Sequence, residues 1–255
     1  MRIHRDEVAI AYEEAGDGEP AILLVHGWAT DRSVMRPLLN RAADSRRAVA
    51  VDLRGFGESD APEQPYRIEG YSDDLAFLVA RLNLGRPIIV GHSMGGLVAL
   101  DFAARHPAKV SAAVVLEGMI LAPDLLDGLR PILAGVRTAA YRDVVGRAMS
   151  YLSGPHFDEN ARARLVDCAR SCHQHVLVPA MEGILTFDSV AAAREVKCPL
   201  LYLGTAERYA DLGQLRQLCP QLLTGQLVGC GHYFPLEVPE QLWPMIARFI
   251  RVTET

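Results

Sequence analysis

The segment Gly91-His92-Ser93-Met94-Gly95-Gly96 holds the residue whose neighbours best equip it for nucleophilic chemistry. A serine hydroxyl is a weak nucleophile until a base takes its proton and donors receive the charge that develops on the carbonyl it attacks. In a Gly-x-Ser-x-Gly turn the serine takes a strained conformation between a strand and a helix, which lifts its hydroxyl clear of the sheet. The glycines two before and two after leave room for strand and helix to approach. Such a short pattern can also arise by chance, as a glycine-rich turn around an inert serine. Here it directly follows the apolar run 87–91 and precedes the helical pattern 95–106, the context that the chemistry requires.

Further groups would complete such a site. In Gly229-Cys230-Gly231-His232-Tyr233-Phe234, a flexible turn after the run 226–228 can swing His232 across the strand ends toward Ser93 as general base. His26-Gly27-Trp28 follows the run 21–26, and its glycine lets the backbone bend over the strand ends. The expected oxyanion donors are the backbone N–H groups of Trp28 and of Met94, the latter at a helix N-terminus. The acid that orients the base has two candidate positions. Glu117 ends the apolar run Val114-Val115-Leu116 at the sheet edge where ligands collect in open α/β sheets. An anion there needs a partner, and the imidazolium forming on His232 would be one. Glu207, in the loop 204–211 with Arg208 beside it, is the alternative acid. Glu117 is preferred, its competing role being a salt bridge to Arg130 or Arg137.

Other reactive side chains are read as structural. His92 adjoins the serine, but in such a turn its side chain points away from the nucleophile. His26 fits a hydrogen-bonding role better than that of a base. Cys168, Cys172, His173 and His175 cluster, yet their spacing lacks the paired turns of a structural zinc site. Asp52 and Arg54 are expected to hold a tight turn. No metal and no cofactor is expected.

The elements that must position these groups follow from hydrophobic patterning. Strands are expected at 3–12, 21–26, 47–52, 87–91, 112–117, 200–204 and 226–228, several with adjacent apolar residues, as strands buried on both faces require. Ser72 is expected to cap a helix through Leu82, and the helix 95–106 stops at Pro107. Strand–helix alternation predicts an α/β fold with a mostly parallel sheet and helices on both faces. The rhythm breaks between 120 and 196, where helical spacing at 125–133, 141–152 and 158–172 predicts a helical lid over one edge of the sheet, with Pro131 near a helix start or kink. The expected core is therefore 1–119 with 197–255, and the lid 120–196. A final amphipathic helix ends near Ile250.

Bulk properties narrow the function classes. With 255 residues, half of them hydrophobic, the chain is long enough for one large globular domain with an insertion. A net charge of −5 without a basic block argues against a nucleic-acid partner. Residues 1–12 lack the apolar core of a signal peptide and no run approaches a membrane span, so no membrane partner is expected. Five cysteines, an odd number, are read as reduced thiols in a cytoplasmic protein. The expected partner is a small-molecule substrate; homo-oligomer formation is left open.

On His26-Gly27-Trp28, the turn Asp52-Leu53-Arg54-Gly55-Phe56-Gly57-Glu58-Ser59, the Ser93 segment and Gly231-His232, taken in that order, the chain resembles the α/β-hydrolase superfamily over nearly its whole length. The resemblance implies the α/β-hydrolase fold and leaves the substrate open, because this superfold hosts esterases, lactonases, carbon–carbon bond hydrolases, epoxide hydrolases, dehalogenases and cofactor-free dioxygenases. Dehalogenases and epoxide hydrolases of this fold normally use an aspartate where this chain has Ser93. Many relatives carry the acid in a Gly-x-x-Asp turn, where this chain reads Gly204-Thr205-Ala206-Glu207. Some instead take it from the strand that here ends at Glu117. The leading expectation is a serine hydrolase that cleaves a carboxylic ester or lactone with a mainly apolar substituent, through an acyl-enzyme. Carbon–carbon bond hydrolysis or cofactor-free oxygenation is the alternative on the same fold, and non-catalytic ligand binding the alternative of another class.

Overall fold

The computed structural model describes residues 1–205 and 209–254. One sheet contains β1 (Arg2–Arg5), β2 (Val8–Ala15), β3 (Ile22–Val25), β4 (Ala48–Val51), β5 (Ile88–His92), β6 (Ala112–Leu116), β7 (Leu200–Gly204) and β8 (Leu222–Gln226), in the spatial order β1-β2-β4-β3-β5-β6-β7-β8. The two pairings that involve β2 are antiparallel, and every pairing from β4 to β8 is parallel. Every residue of β3 to β7 is buried, which is why these strands read as unbroken apolar runs.

Helices α1 (Arg36–Ala43), α2 (Ile68–Arg81) and α3 (Met94–Arg105) alternate with the early strands. Between β6 and β7 lie α4 (Pro123–Val136), α5 (Tyr141–Leu152), α6 (Glu159–Ser171), α7 (Gln174–Thr186) and α8 (Ser189–Glu195), with Pro131 inside α4 rather than at its start. The chain closes with α9 (Leu212–Leu218), the short α10 (Phe234–Glu237) and α11 (Pro239–Thr253). One group of contacts joins α1, α10 and α11; another joins α2, α3, α8 and α9. The helical insertion reaches the loops that follow β3 and β4: the Trp28 indole N–H donates to the Leu177 carbonyl (3.0 Å), and His175 to the Ala61 carbonyl (2.9 Å). It therefore packs against loops on the carboxyl side of the sheet.

Three expectations need correction. The run 3–12 is a hairpin, β1 and β2 joined through Asp6-Glu7, with Asp6 at φ 54° in the left-handed region that Asp tolerates. The last strand is β8, not 226–228. It is a half-exposed edge strand interrupted by Gly225, so its apolar signal is weak. Helix α2 begins at Ile68 rather than after Ser72. Ile68, Tyr71, Leu75 and Leu78 form its buried face, and Ser72 lies inside the helix, fully buried. Among the described residues no single helix is long and apolar enough to cross a membrane, and the five cysteines are free thiols.

Candidate active site

Ser93 joins β5 to α3 with φ 53° and ψ −116°, a conformation that L-residues avoid unless the surroundings impose it. The surroundings do impose it. A Cβ on Gly91 would strike the Gly95 carbonyl, and one on Gly95 would strike the carbonyls of Val25 and His26. The Ser93 N–H donates to the Leu116 carbonyl (2.8 Å), tying the turn to β6. Ser93 is half-buried, and its hydroxyl makes no capping bond to the helix. Met94 opens α3, so its N–H has no acceptor within the helix. Gly27 packs against this turn: a Cβ there would lie 3.1 Å from Ser93 Cβ, which brings the Gly27-Trp28 backbone beside the nucleophile position. The bond from the Trp28 indole to Leu177 fixes that residue's side chain.

Glu117 follows β6 with φ 52° and is completely buried. Its Oε2 lies 2.7 Å from His232 Nδ1, while its Oε1 accepts the Thr205 N–H (2.7 Å) and the Thr205 hydroxyl (2.6 Å). The carboxylate is thus spanned by donors on both oxygens, which compensates the cost of burying it. Arg130 and Arg137 pair elsewhere, with Asp127 and Glu182, so neither makes the competing salt bridge. Glu207, the alternative acid, lies outside the described residues.

His232 precedes α10 and is almost fully buried. Both its backbone groups are held: its N–H donates to the Leu152 carbonyl (2.9 Å), and its carbonyl accepts His92 Nε2–H (2.8 Å). The Tyr209 ring stacks on its imidazole, 5.2 Å between centroids at 25°. His92 is fully buried. That burial, and then the neighbouring His232 ring, holds its pKa well below the usual value of 6.5. It is therefore neutral, with its proton on Nε2 toward the His232 carbonyl.

The remaining candidates are structural. His26 donates from Nδ1 to the Gly27 carbonyl (2.7 Å) and accepts the Leu53 N–H at Nε2 (2.9 Å), and burial lowers its pKa. Asp52 accepts the N–H groups of Arg32 (2.7 Å) and Glu58 (2.8 Å), and Arg54 pairs with Asp74. Cys168 donates to Asp31, and among the described residues no group of three His, Cys, Asp or Glu side chains is arranged to hold a metal. Burial, then the charges of Glu237 and Glu117, push the Cys230 thiol up to about 11, so it is a poor nucleophile beside the base.

A pocket of about 330 Å³ lies against His232, lined by Leu152, Ser153, Thr205, Tyr209 and Cys230. A larger one of about 760 Å³ adjoins it, lined by Leu121, Tyr202, Asp211 and Arg216, with Thr205 and Tyr209 common to both. Thr205, Tyr209 and the role of His92 were not read from the sequence. Thr205 alone had a signal, its place directly after a strand in the loop searched for an acid.

The family model described as alpha/beta hydrolase fold matches residues 20–149. This chain belongs to the α/β-hydrolase family. It is 30% identical to the 2-(acetamidomethylene)succinate hydrolase of Mesorhizobium japonicum over 266 residues, spanning 98% of this chain and 94% of that one. A thermophilic esterase from Thermogutta terrifontis, solved with malate bound, superposes with a TM-score of 0.82 at 25% identity, covering 97% of this chain and 95% of the esterase. The enol-lactonase of Burkholderia xenovorans superposes with a TM-score of 0.85 over 98% of this chain and 100% of its own. At 22% identity that likeness is one of fold.

Proposed function

We propose that this hydrolase cleaves carboxylic esters or lactones with Ser93 as nucleophile, His232 as general base and Glu117 as the carboxylate that orients the base. The observation that carries this reading is the buried contact of 2.7 Å between Glu117 Oε2 and His232 Nδ1. An anion at Nδ1 keeps the ring proton there, which leaves the Nε2 lone pair to accept the Ser93 proton. Ser93 Oγ bonds to the substrate carbonyl carbon as Nε2 takes that proton, and the N–H groups of Met94 and Trp28 receive the oxyanion. Collapse breaks the bond to the alkoxy oxygen, which leaves with the proton from the imidazolium. Water, deprotonated by His232, then attacks the acyl carbon, and Ser93 departs with that proton.

The helical insertion acts in this reading as a lid. Leu121, Leu125 and Leu152 of the insertion line the two pockets and favour a mainly apolar acyl or alcohol group. The mechanism calls for no cofactor. The test is turnover of chromogenic esters of increasing acyl length by wild type and Ser93→Ala. Loss of turnover in the variant is expected; equal rates in both would sink the assignment.

The similarity to the Mesorhizobium japonicum enzyme over 98% of this chain favours a second reading, in which the substrate is an acetamidomethylene dicarboxylate. The same serine bonds to its acetyl carbonyl carbon, the amide C–N bond breaks, the nitrogen leaves with the proton from His232, and water then releases the acetyl group as acetate. Turnover of 2-(acetamidomethylene)succinate together with feeble ester turnover would select it.

A further inference from the structure

We infer that Glu237 is a positioning residue for the base: it clamps the turn carrying His232 to the end of α5, so that base and helical insertion hold position together. The inference rests on the reading of His232 as general base. Helix α5 ends at Leu152, whose carbonyl accepts the His232 N–H (2.9 Å). Just beyond, the Gly154 N–H donates to Glu237 Oε1 (3.2 Å), while the Gly231 N–H donates to Glu237 Oε2 (2.9 Å). One carboxylate thus bridges the insertion and the residue next to the base.

The two backbones also interlock. A Cβ on Gly154 would strike Glu237 Oε2 and Gly231 N, and one on Gly231 would strike Gly154 N and lie 2.7 Å from the Leu152 carbonyl oxygen. Neither turn has room for a side chain, so the approach depends on glycine at both positions. Arg162 extends the junction into α6 by donating from Nη2 to the Gly154 carbonyl (2.9 Å). Among the described residues no lysine or arginine pairs with Glu237, so its charge is directed at the two peptide N–H groups. Hydrogen bonds to an ionised acceptor are the stronger kind. Glu237 touches none of the proposed reacting atoms; its effect passes through the His232 peptide, whose other side is held by His92.

The experiment uses the full chain as wild type, Glu237→Gln, Glu237→Ala and Ser93→Ala. Hydrogen–deuterium exchange is followed in peptides covering 150–156 and 229–233. In Glu237→Ala both peptides are expected to exchange about tenfold faster, together, with the sheet unchanged. Glu237→Gln retains one acceptor and falls between. On a chromogenic ester, kcat is expected to drop about tenfold or more in Glu237→Ala, as a displaced catalytic group costs. KM should stay within about twofold, the split that marks a loss felt in the transition state. Unchanged exchange in either peptide, or acceleration of one alone, overturns the clamp. Loosened peptides with full kcat overturn the positioning role. If Ser93→Ala keeps wild-type turnover, the catalytic reading fails instead, and the exchange result still decides whether the clamp exists.

Discussion

Changing Glu117 to glutamine tests the proposed base at its anchor. The side chain keeps its size, and its completely buried site holds three hydrogen bonds, two from Thr205 and one from His232. The Thr205 N–H can only donate, so the amide oxygen must face Thr205. The amide N–H₂ then faces His232 Nδ1, which has to become an acceptor, and the ring proton moves to Nε2. In that tautomer His232 cannot take a proton from Ser93. The loss expected when a triad carboxylate becomes an amide is about 10⁴-fold in kcat. That corresponds to roughly 5.5 kcal/mol on the barrier, at about 1.4 kcal/mol per factor of ten. Because every hydrogen bond keeps a partner, the melting temperature should hardly move. Glu117→Ala is the poorer test, since it strips an acceptor from three donors and damages the fold as well. The assay is kcat and KM on a chromogenic ester with melting curves for Glu117→Gln and Glu207→Gln in parallel. A Glu117→Gln loss below tenfold, or an equal loss at Glu207, would refute the reasoning.

Two other perturbations follow from the same geometry. His92 and His26 are buried, and burial holds their pKa values below the ordinary histidine value of 6.5, so the unfolded chain binds protons that the native state refuses. Their neutral forms contribute stability in full above pH 6.5, and it is lost as pH falls from there toward their lowered values. The expected slope is up to about 1.4 kcal/mol per pH unit for each histidine. Urea unfolding at pH 7.0 and 5.5 measures it; a slope that stays the same in His92→Asn would contradict the attribution to His92. Gly91→Ala should cost about 3 kcal/mol or more, because its Cβ meets the backbone carbonyl of Gly95 and no side-chain rotation relieves that. Denaturant midpoints check this, and a variant as stable as wild type would show that the turn can open.

The parts of the site that announced themselves were those built from local backbone demands. Gly91 and Gly95 stand where only glycine fits, and the strand-to-helix turn they permit marks Ser93 between them. Glu117 could be singled out because a carboxylate at the end of an apolar strand needs a partner. What could not be read were contacts of side chains with distant backbone. His92 meets the His232 carbonyl across 140 positions, and Glu237 meets the Gly154 N–H across 83, with no local pattern at either end. In the fold, buried strands were legible and edge elements less so. Half-exposed β8 carries a faint apolar signal, and the Asp6-Glu7 turn inside the first run lacks the glycine that usually marks a hairpin.

The parallel direction of β3 through β8 gives the sheet two unlike rims. Trp28, Ser93, Glu117, Thr205 and His232 all come after the carboxyl ends of strands, so one rim carries every residue of the proposed site. The opposite rim is made of the turns that enter the strands, at 44–47, 82–87, 106–111, 196–199 and 219–221 together with 16–21, and it holds none of these residues. In the second of these turns Asn83 and Gly85 sit at φ 53° and 61°, and a side chain on Gly85 would meet nothing within 4 Å. Such a loop has open space at its tip to lengthen or accept a fused peptide while the far ends of the same strands stay fixed. In β3 and in β5 to β8 the two ends thus answer to different constraints, one to the proposed reaction geometry and the other to closing a turn.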